Sequence, residues 1–277
     1  MGRLYLIPTP IGNPRDITKR ALEVLGDLSV LACEDTRTTR RLLREHDLRA
    51  PKLLSYTEHN KRGRIPQLIG YLSQSDVGLV SEAGMPGISD PGQELVAAAI
   101  EAGHSVIALP GPSAALAALA ASGLSTRRFF FLGFLPRTAG RRRSALQEVE
   151  GLAATLIVFE SPRRVLATLG DIESVLGDRR IVAAREISKV HEEFIRGRVS
   201  EVRRMLSEPL GEFTLVIEGA TADEHPADDD GAIAAAQGWA ESPSISTRDL
   251  AQRLQSEFGL SRRRAYAIAT RARGESS

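Results

Sequence analysis

The chain of 277 residues contains a single cysteine, Cys33. No intramolecular disulfide and no thiolate zinc centre is open to it, and a reducing, cytoplasmic setting is expected. Lysine is almost absent: Lys19, Lys52, Lys61 and Lys189 are the only four among 36 basic residues. The rest are arginine, whose planar fork suits phosphate. Net charge is +1, so no global field draws the chain to nucleic acid or lipid, and any basic surface must be local. The five histidines are scattered without metal-ligand spacing, and no metal is expected. The most apolar run, SAALAALAAS at 113–122, is about half a membrane span, so no membrane partner is expected. The opening residues MGRLYLIPTP lack a signal-peptide core and a myristoylation pattern. There is no G-x-G-x-x-G after a strand, no G-x-x-x-x-G-K, no H-E-x-x-H and no G-x-S-x-G, which removes the common nucleotide, zinc-protease and serine-hydrolase readings.

What is present is ordinary globular material: 42% hydrophobic and 26% charged residues, enough chain for about two domains. Short apolar runs alternate with amphipathic ones. Strands are predicted at Arg3–Ile7, Ser29–Cys33, Lys52–Tyr56, Val77–Ser81 and Ser105–Leu109. Helices are predicted near 36–46, 61–74, 91–102 and 113–122. That alternation indicates a largely parallel, doubly wound sheet. After 123–128 the tempo changes. FFFLGF, ATLIVFE, RRIVAARE, HEEFIRG and EFTLVIEG read as strands separated by only three helices, which predicts a mixed sheet in a second α/β domain. The expected organisation is residues 1–125 and 126–220 as two α/β domains, an acidic linker at 221–231, and a helical tail at 232–277. In the tail, Thr247 is the expected cap of a helix ending at Gly259, and Ser261 the cap of a second, giving a helix-turn-helix-like pair.

Three loops carry the chemistry. LVSEAGMPGISDPG at 79–92 runs from a strand through ten Gly- and Pro-dense residues into a helix. An ordinary strand-to-helix turn takes about 2–6 residues, so this loop reads as a ligand loop beyond a strand's carboxyl end. ALPGPSAALAALAASG at 108–123 and PTPIGNP at 8–14 sit at equivalent strand ends. ACEDTRTTRRLL at 32–43 brings Glu34, Asp35 and Arg37 to the same edge, whereas Arg40, Arg41 and Arg44 read as a solvated helix face. SYTEHN at 55–60 adds His59. In RRFFFLGFLPRTAGRRR at 127–143 the Phe residues are expected to pack in a buried strand. Arg137, Arg141, Arg142 and Arg143 read as a loop that meets an RNA backbone. The residues alone therefore point to a two-domain α/β enzyme with a small-molecule crevice and basic loops nearby.

The motifs LYLIPTPIGNPRDIT, LACEDTRTTRRLL, SEAGMPGISDPG, PGPSAALAALAASGL, FLGFLPR, VFESPRR, AREISKVHEEFIRG and GEFTLVIEG follow in this order over residues 3–219. Together they resemble the ribosomal RNA small subunit methyltransferase I family, the RNA-directed branch of the tetrapyrrole methylase superfamily. The resemblance implies two α/β domains of the tetrapyrrole methylase type with the cofactor in the cleft between them, plus a small helical C-terminal tail. It implies S-adenosylmethionine as donor, a cytidine 2′-hydroxyl in the decoding region of 16S ribosomal RNA in the 30S subunit as acceptor, and a homodimer. Carried over, the cofactor positions are Pro10, Leu79, Ser81, Glu82, Ala83, Gly84, Ile88, Asp90, Ser113, Ala114, Phe159, Glu160 and Thr214. Candidates for a base or orienting group are Glu34, Asp35, His59, Glu186, Lys189 and His191; Arg37 and the 137–143 arginines are the RNA candidates. Methylation of a tetrapyrrole or other small molecule, and a non-enzymatic RNA-binding module, are the competing readings.

Overall fold

The computed structural model describes residues 2–207, 209–220, 229–240, 245–258, 260 and 262–274. The chain divides into two compact units, 1–219 and 220–277.

The first unit holds two five-stranded sheets. Strands β1 (Arg3–Leu6), β2 (Val30–Cys33), β3 (Lys52–Ser55), β4 (Val77–Val80) and β5 (Ser105–Ala108) form an all-parallel sheet in the order β3-β2-β4-β1-β5. The central strands β2 (VLAC) and β4 (VGLV) are buried at every residue. Continuous apolar runs of this kind are what a parallel sheet covered on both faces needs. Helices α1 (Lys19–Asp27) and α2 (Thr36–Glu45) cover one face through Leu25 and Leu43. Helices α3 (Lys61–Leu72) and α4 (Gln93–Glu101) cover the other through Leu68, Leu72 and Leu95. From β1 the chain moves toward β2 on one side, and from the neighbouring β4 toward β5 on the other. Adjacent strands whose connections diverge leave a crevice at their carboxyl ends.

Helix α5 (Ala114–Ser122) follows β5 and leads to the second sheet. That sheet comprises β6 (Phe129–Phe134), β7 (Thr155–Glu160), β8 (Arg180–Arg185), β9 (Glu193–Arg198) and β10 (Phe213–Ile217), in the order β6-β7-β10-β8-β9. Only β6 and β7 are parallel; the other pairs are antiparallel, the mixed sheet expected from the sparse helices. One face packs on α6 (Ala139–Gln147), α7 (Val165–Leu176) and α8 (Val199–Met205). The other face is covered by α5, whose Ala115, Ala118 and Leu119 lie against Ile157, Val182 and Val216.

Two expectations about 127–143 change. Three of the four Phe residues are not buried: β6 is an edge strand, and Phe129, Phe130 and Phe134 are 46%, 46% and 57% exposed, while Phe131 packs partly buried against the core on the α5 face. The basic stretch is not a loop either, since α6 begins at Ala139. Its register turns Arg142 inward, where its Nε donates to the Asp171 Oδ2 at 2.6 Å and its Nη1 donates to the Arg137 carbonyl at 3.3 Å. Arg142 therefore belongs to the α6–α7 core, while Arg137, Arg141 and Arg143 stay exposed.

The second unit is three helices, α9 (Asp229–Ala240), α10 (Thr247–Phe258) and α11 (Arg262–Ala272), around Ala232, Ala236, Leu250, Leu254 and Ala269. Helix α9 falls mostly within the expected helical tail, and its first residues overrun the segment read as linker; 221–228 lie outside the described residues. Ser246, not Thr247, caps α10: its hydroxyl accepts from the Asp249 N–H at 3.1 Å and donates to the Asp249 carboxylate at 2.6 Å, a reciprocal cap. Gly259 and Ser261, the expected stop and cap, lie outside the described residues.

Removing one partner of a buried ion pair leaves the other charge stranded, at a cost of about 3 kcal/mol or more. Arg142→Ala is expected to lower unfolding stability by that amount in a urea titration, with Arg141→Ala within about 0.5 kcal/mol of the parent. Equal effects of the two substitutions would contradict the buried pairing.

Candidate active site

The crevice is assembled by backbone first. The loops after β1 and β4 are tied by an isolated antiparallel bridge, in which the Thr9 N–H donates to the Gly84 carbonyl at 3.0 Å and the Gly84 N–H returns to Thr9 at 2.9 Å. Gly84 holds this position at φ +81°, a region open to glycine without strain. Farther along the loop, Gly87 and Gly92 touch: a Cβ on Gly92 would fall 2.9 Å from the Gly87 Cα. A side chain at Gly92 would open the turn. Thr9 donates to the Ser81 carbonyl at 3.2 Å, and the Ser81 hydroxyl closes on the Gly84 carbonyl at 3.2 Å.

The opposing wall comes from the loop between β8 and β9. Ser188 accepts a hydrogen bond from the Asn13 N–H at 3.2 Å and donates to the Asp16 carboxylate, while Gly12 packs on the stem of Lys189. Glu186 and Ser188 take left-handed conformations at φ 52° and 69°, as does Ser89 at 63°; strain at non-glycine residues is characteristic of functional loops. Glu186 is held by Lys189 Nζ at 2.8 Å and by the Glu212 N–H at 2.9 Å. Gly211 leaves the room, because a Cβ there would lie 2.4 Å from the Glu186 Cγ. Between these walls lies a cleft of about 310 Å³. Pro10, Ser81, Glu82 and Ala83 line it from the first sheet, Lys189 and Glu212 from the second, and Thr38, Arg41, Leu42 and Glu45 from α2. Arg41, set aside in the sequence as part of a solvated face, is thus at the cleft. The signal that could have revealed it is the spacing of 38, 41, 42 and 45, one side of a helix.

The electrostatics divide in two. Glu34, Glu82 and Asp90 form an acidic floor at the carboxyl ends of β2 and β4, where their charges act on one another; of the three, only the exposed Glu82 lines the cleft itself. Burial and the neighbouring charges of Asp90 and Glu82 push the Glu34 carboxyl up; burial, opposed by the Ser81 hydroxyl and reinforced by Glu82, pushes Asp90 up. Asp35 behaves oppositely. It caps α2 through the Arg37 N–H at 2.7 Å and grips the Arg37 side chain at 2.8 Å, so it titrates at about 2. Lys189, despite burial that favours the neutral amine, is held above its usual range by Glu186 and Glu212. The same contacts, Lys189 first, hold Glu186 below its own range. These three are spent on one another. His59 and His191 are exposed, and neither lines the cleft nor joins the acidic floor.

Of the thirteen expected cofactor positions, Pro10, Ser81, Glu82 and Ala83 line this cleft and the other nine do not. Leu79 is 1% exposed and packs in the core below the loop. Strand residues alternate faces; Phe159 and Thr214 share the α5 face, so Glu160 points to the other. There its carboxylate accepts from the Ser161 N–H at 2.8 Å and the Thr168 hydroxyl at 2.6 Å, fastening the start of α7. Ile88 is 51% exposed on the loop. Ser113 caps α5 and Ala114 opens it, both half-buried. Among the described residues no group of three metal-ligating side chains forms, and no helix is long and apolar enough to cross a membrane.

Residues 3–203 match the family model described as tetrapyrrole (corrin/porphyrin) methylases. Over 238 residues the chain is 49% identical to a ribosomal RNA small subunit methyltransferase I of Micromonospora olivasterospora, covering 84% of this chain and 75% of the relative. The same-named protein of Bacillus subtilis is 44% identical, with 81% and 77% covered. This chain belongs to the ribosomal RNA small subunit methyltransferase I family. The family's wider fold is visible in solved structures. A uroporphyrin-III C-methyl transferase from Thermus thermophilus complexed with S-adenosyl homocysteine superposes with a TM-score of 0.56 at 21% identity, covering 78% of this chain and 97% of that one. A diphthine synthase superposes at 0.61 with 14% identity, covering 79% and 91%. For this methyltransferase I family member they establish the architecture.

Carboxylates crowded together repel one another when nothing cationic is bound, as the Glu82 charge acts on both Glu34 and Asp90. Asp90→Asn is expected to raise the thermal midpoint at pH 7 by about 1–3 °C. The gain should shrink on acidification, as Glu34 and Asp90, both raised, take up protons in the parent as well. A lower midpoint at pH 7, or a gain independent of pH, would contradict mutual repulsion.

Proposed function

We propose that this chain transfers a methyl group from S-adenosylmethionine to small-subunit ribosomal RNA, at the 2′-hydroxyl of a cytidine ribose in the decoding region of the 30S particle. The observation that carries this reading is the acidic floor of Glu34, Glu82 and Asp90 at the carboxyl edge of the parallel sheet, in a chain of the methyltransferase I family. Bound S-adenosylmethionine supplies an electrophilic methyl on a positively charged sulfur, and its sulfonium and ammonium suit the carboxylates of Glu82 and Asp90. Pro10, Ser81, Glu82, Ala83, Gly84 and Asp90 are the residues that would hold it, with Ser113 and Ala114 opening α5 beside them.

The chain's own work is positioning and proton removal. A ribose hydroxyl is a weak nucleophile, and a base placed at it contributes about 10²–10⁴-fold. Glu34 is our choice for that base. Among the described residues its carboxylate makes no hydrogen bond or ion pair, whereas Asp35, Glu186 and Lys189 are already engaged. Its raised affinity for protons makes it a better acceptor than an ordinary carboxylate. Exposed Arg37, Arg137, Arg141 and Arg143 supply contacts for phosphate. A homodimer in the cytoplasm completes the reading, supported by the exposed Phe129, Phe130 and Phe134 on the edge strand and by Leu116, 53% exposed on α5.

The test is a tritiated-methyl assay offering 30S subunits, naked ribosomal RNA and a tetrapyrrole. Label should enter 30S RNA and leave a gap in its alkaline-hydrolysis ladder, because a methylated 2′-oxygen cannot attack its phosphodiester. Label in the tetrapyrrole alone, or on a base without a gap, would overturn the proposal. Glu34→Gln should lose about 10²-fold or more in turnover while calorimetry shows unchanged S-adenosylmethionine affinity. In the parent, activity should fall as acidification protonates Glu34. Full turnover by the Gln variant would remove Glu34 as the base.

A further inference from the structure

Helix α2 carries Arg37, Arg40, Arg41 and Arg44 in ten residues, with Glu45 the only acidic side chain in the helix. At 3.6 residues per turn these four fall within one sector of about 100°. That sector is distinct from the core side, where Thr39 and Leu43 are buried. It adjoins the cleft side, where Thr38, Leu42 and Glu45 line the cavity, and Arg41 belongs to both. The stripe is therefore continuous with the site rather than scattered over solvent.

Its charges are poorly compensated. Arg37 is bound by Asp35 at 2.8 Å, and Arg41 approaches Glu45 only to 3.7 Å. Arg40 and Arg44 have no carboxylate within 4.0 Å among the described residues; the Arg44 Nε reaches only the Arg40 carbonyl at 3.4 Å. The spacings 37/40, 37/41, 40/44 and 41/44 place like charges three or four residues apart, each pair unfavourable to the helix. A purely solvated face gains nothing from that arrangement, because alternating signs would serve it better. A bound polyanion relieves all four repulsions together. From Arg37 to Arg44 the stripe is about 10 Å long, enough to meet neighbouring phosphates of one strand.

We infer that the arginine stripe of α2 is a phosphate track for the acceptor RNA, with Arg41 holding the strand at the cleft and Arg40 and Arg44 holding the phosphates leading away from it. This rests on the proposed RNA methylation and adds the path the strand takes. The contacts are to backbone, so the track sets affinity and register and reads no base. Arginine suits it through bidentate contact to phosphate oxygens.

The experiment uses the full chain and compares the parent with Arg40→Gln/Arg44→Gln and with Arg40→Lys/Arg44→Lys. Binding to 30S subunits and to naked ribosomal RNA is measured across a salt series, together with methylation kinetics and S-adenosylmethionine affinity by calorimetry. The Gln pair should raise KM for RNA about tenfold or more with kcat within about twofold. It should make the plot of log affinity against log salt shallower by about 1.4–1.8 on both RNA substrates. The Lys pair should restore most of the slope. An unchanged slope in a Gln variant that still binds S-adenosylmethionine would overturn the track. So would a loss confined to 30S subunits, which would indicate a ribosomal protein contact. If the parent itself neither binds nor methylates ribosomal RNA, the proposed function fails instead, a result separable from failure of the track because it appears before any substitution.

Discussion

The site depends on one packing seam. Helix α5 is the last element of the parallel sheet's lobe, yet its buried side chains lie on the second sheet. Ala115, Ala118 and Leu119 are small enough to bring the helix close to Ile157, Val182 and Val216, and water is excluded between them. Burying that face fixes where β7, β8 and β10 stand relative to the strand ends of the first sheet. The Asn13–Ser188–Asp16 hydrogen bonds and the Gly12–Lys189 contact then close the gap. Neither lobe has two walls of the cleft alone; the seam supplies the second.

Within that frame the charges are sorted by depth. Glu34 and Asp90 are partly buried beside Glu82, and burial and the neighbouring charges raise their proton affinity. Guanidinium groups sit on the rim, exposed along α2. A floor that favours a cation and a rim that favours an anion is what a site needs to seat a sulfonium donor beneath a polyanionic acceptor. Each half is unfavourable to the empty protein, as are the left-handed Ser89, Glu186 and Ser188. Concentration of such costs at one edge of a well-packed fold is the usual mark of a working site.

Several elements were readable from residues alone because their cause is local. The fully apolar β2 and β4 had to lie inside a covered sheet, and the Ala-rich α5 had to be buried on something. The Gly- and Pro-dense loop at 79–92 had to approach a neighbour closely, and at Gly92, which packs on Gly87, it does. The helical tail was legible as amphipathic segments, although the first residues of α9 hid behind acidic residues that resembled a linker.

The arginines show where that legibility stopped. Sequence placed Arg142 among the exposed cations and left Arg41 on a solvated face; the structure buries Arg142 on Asp171, and Arg41, still exposed, borders the cleft. The same holds for Glu160 and Phe159, adjacent in sequence but on opposite faces of β7. Local pattern determined which segments are helix or strand, because spacing and turn chemistry act over a few residues. Only the tertiary structure decided which side of each element meets a partner, because a guanidinium or a carboxylate is fixed by the charge that comes near it, and here that charge sits 29 residues away, as Asp171 does for Arg142.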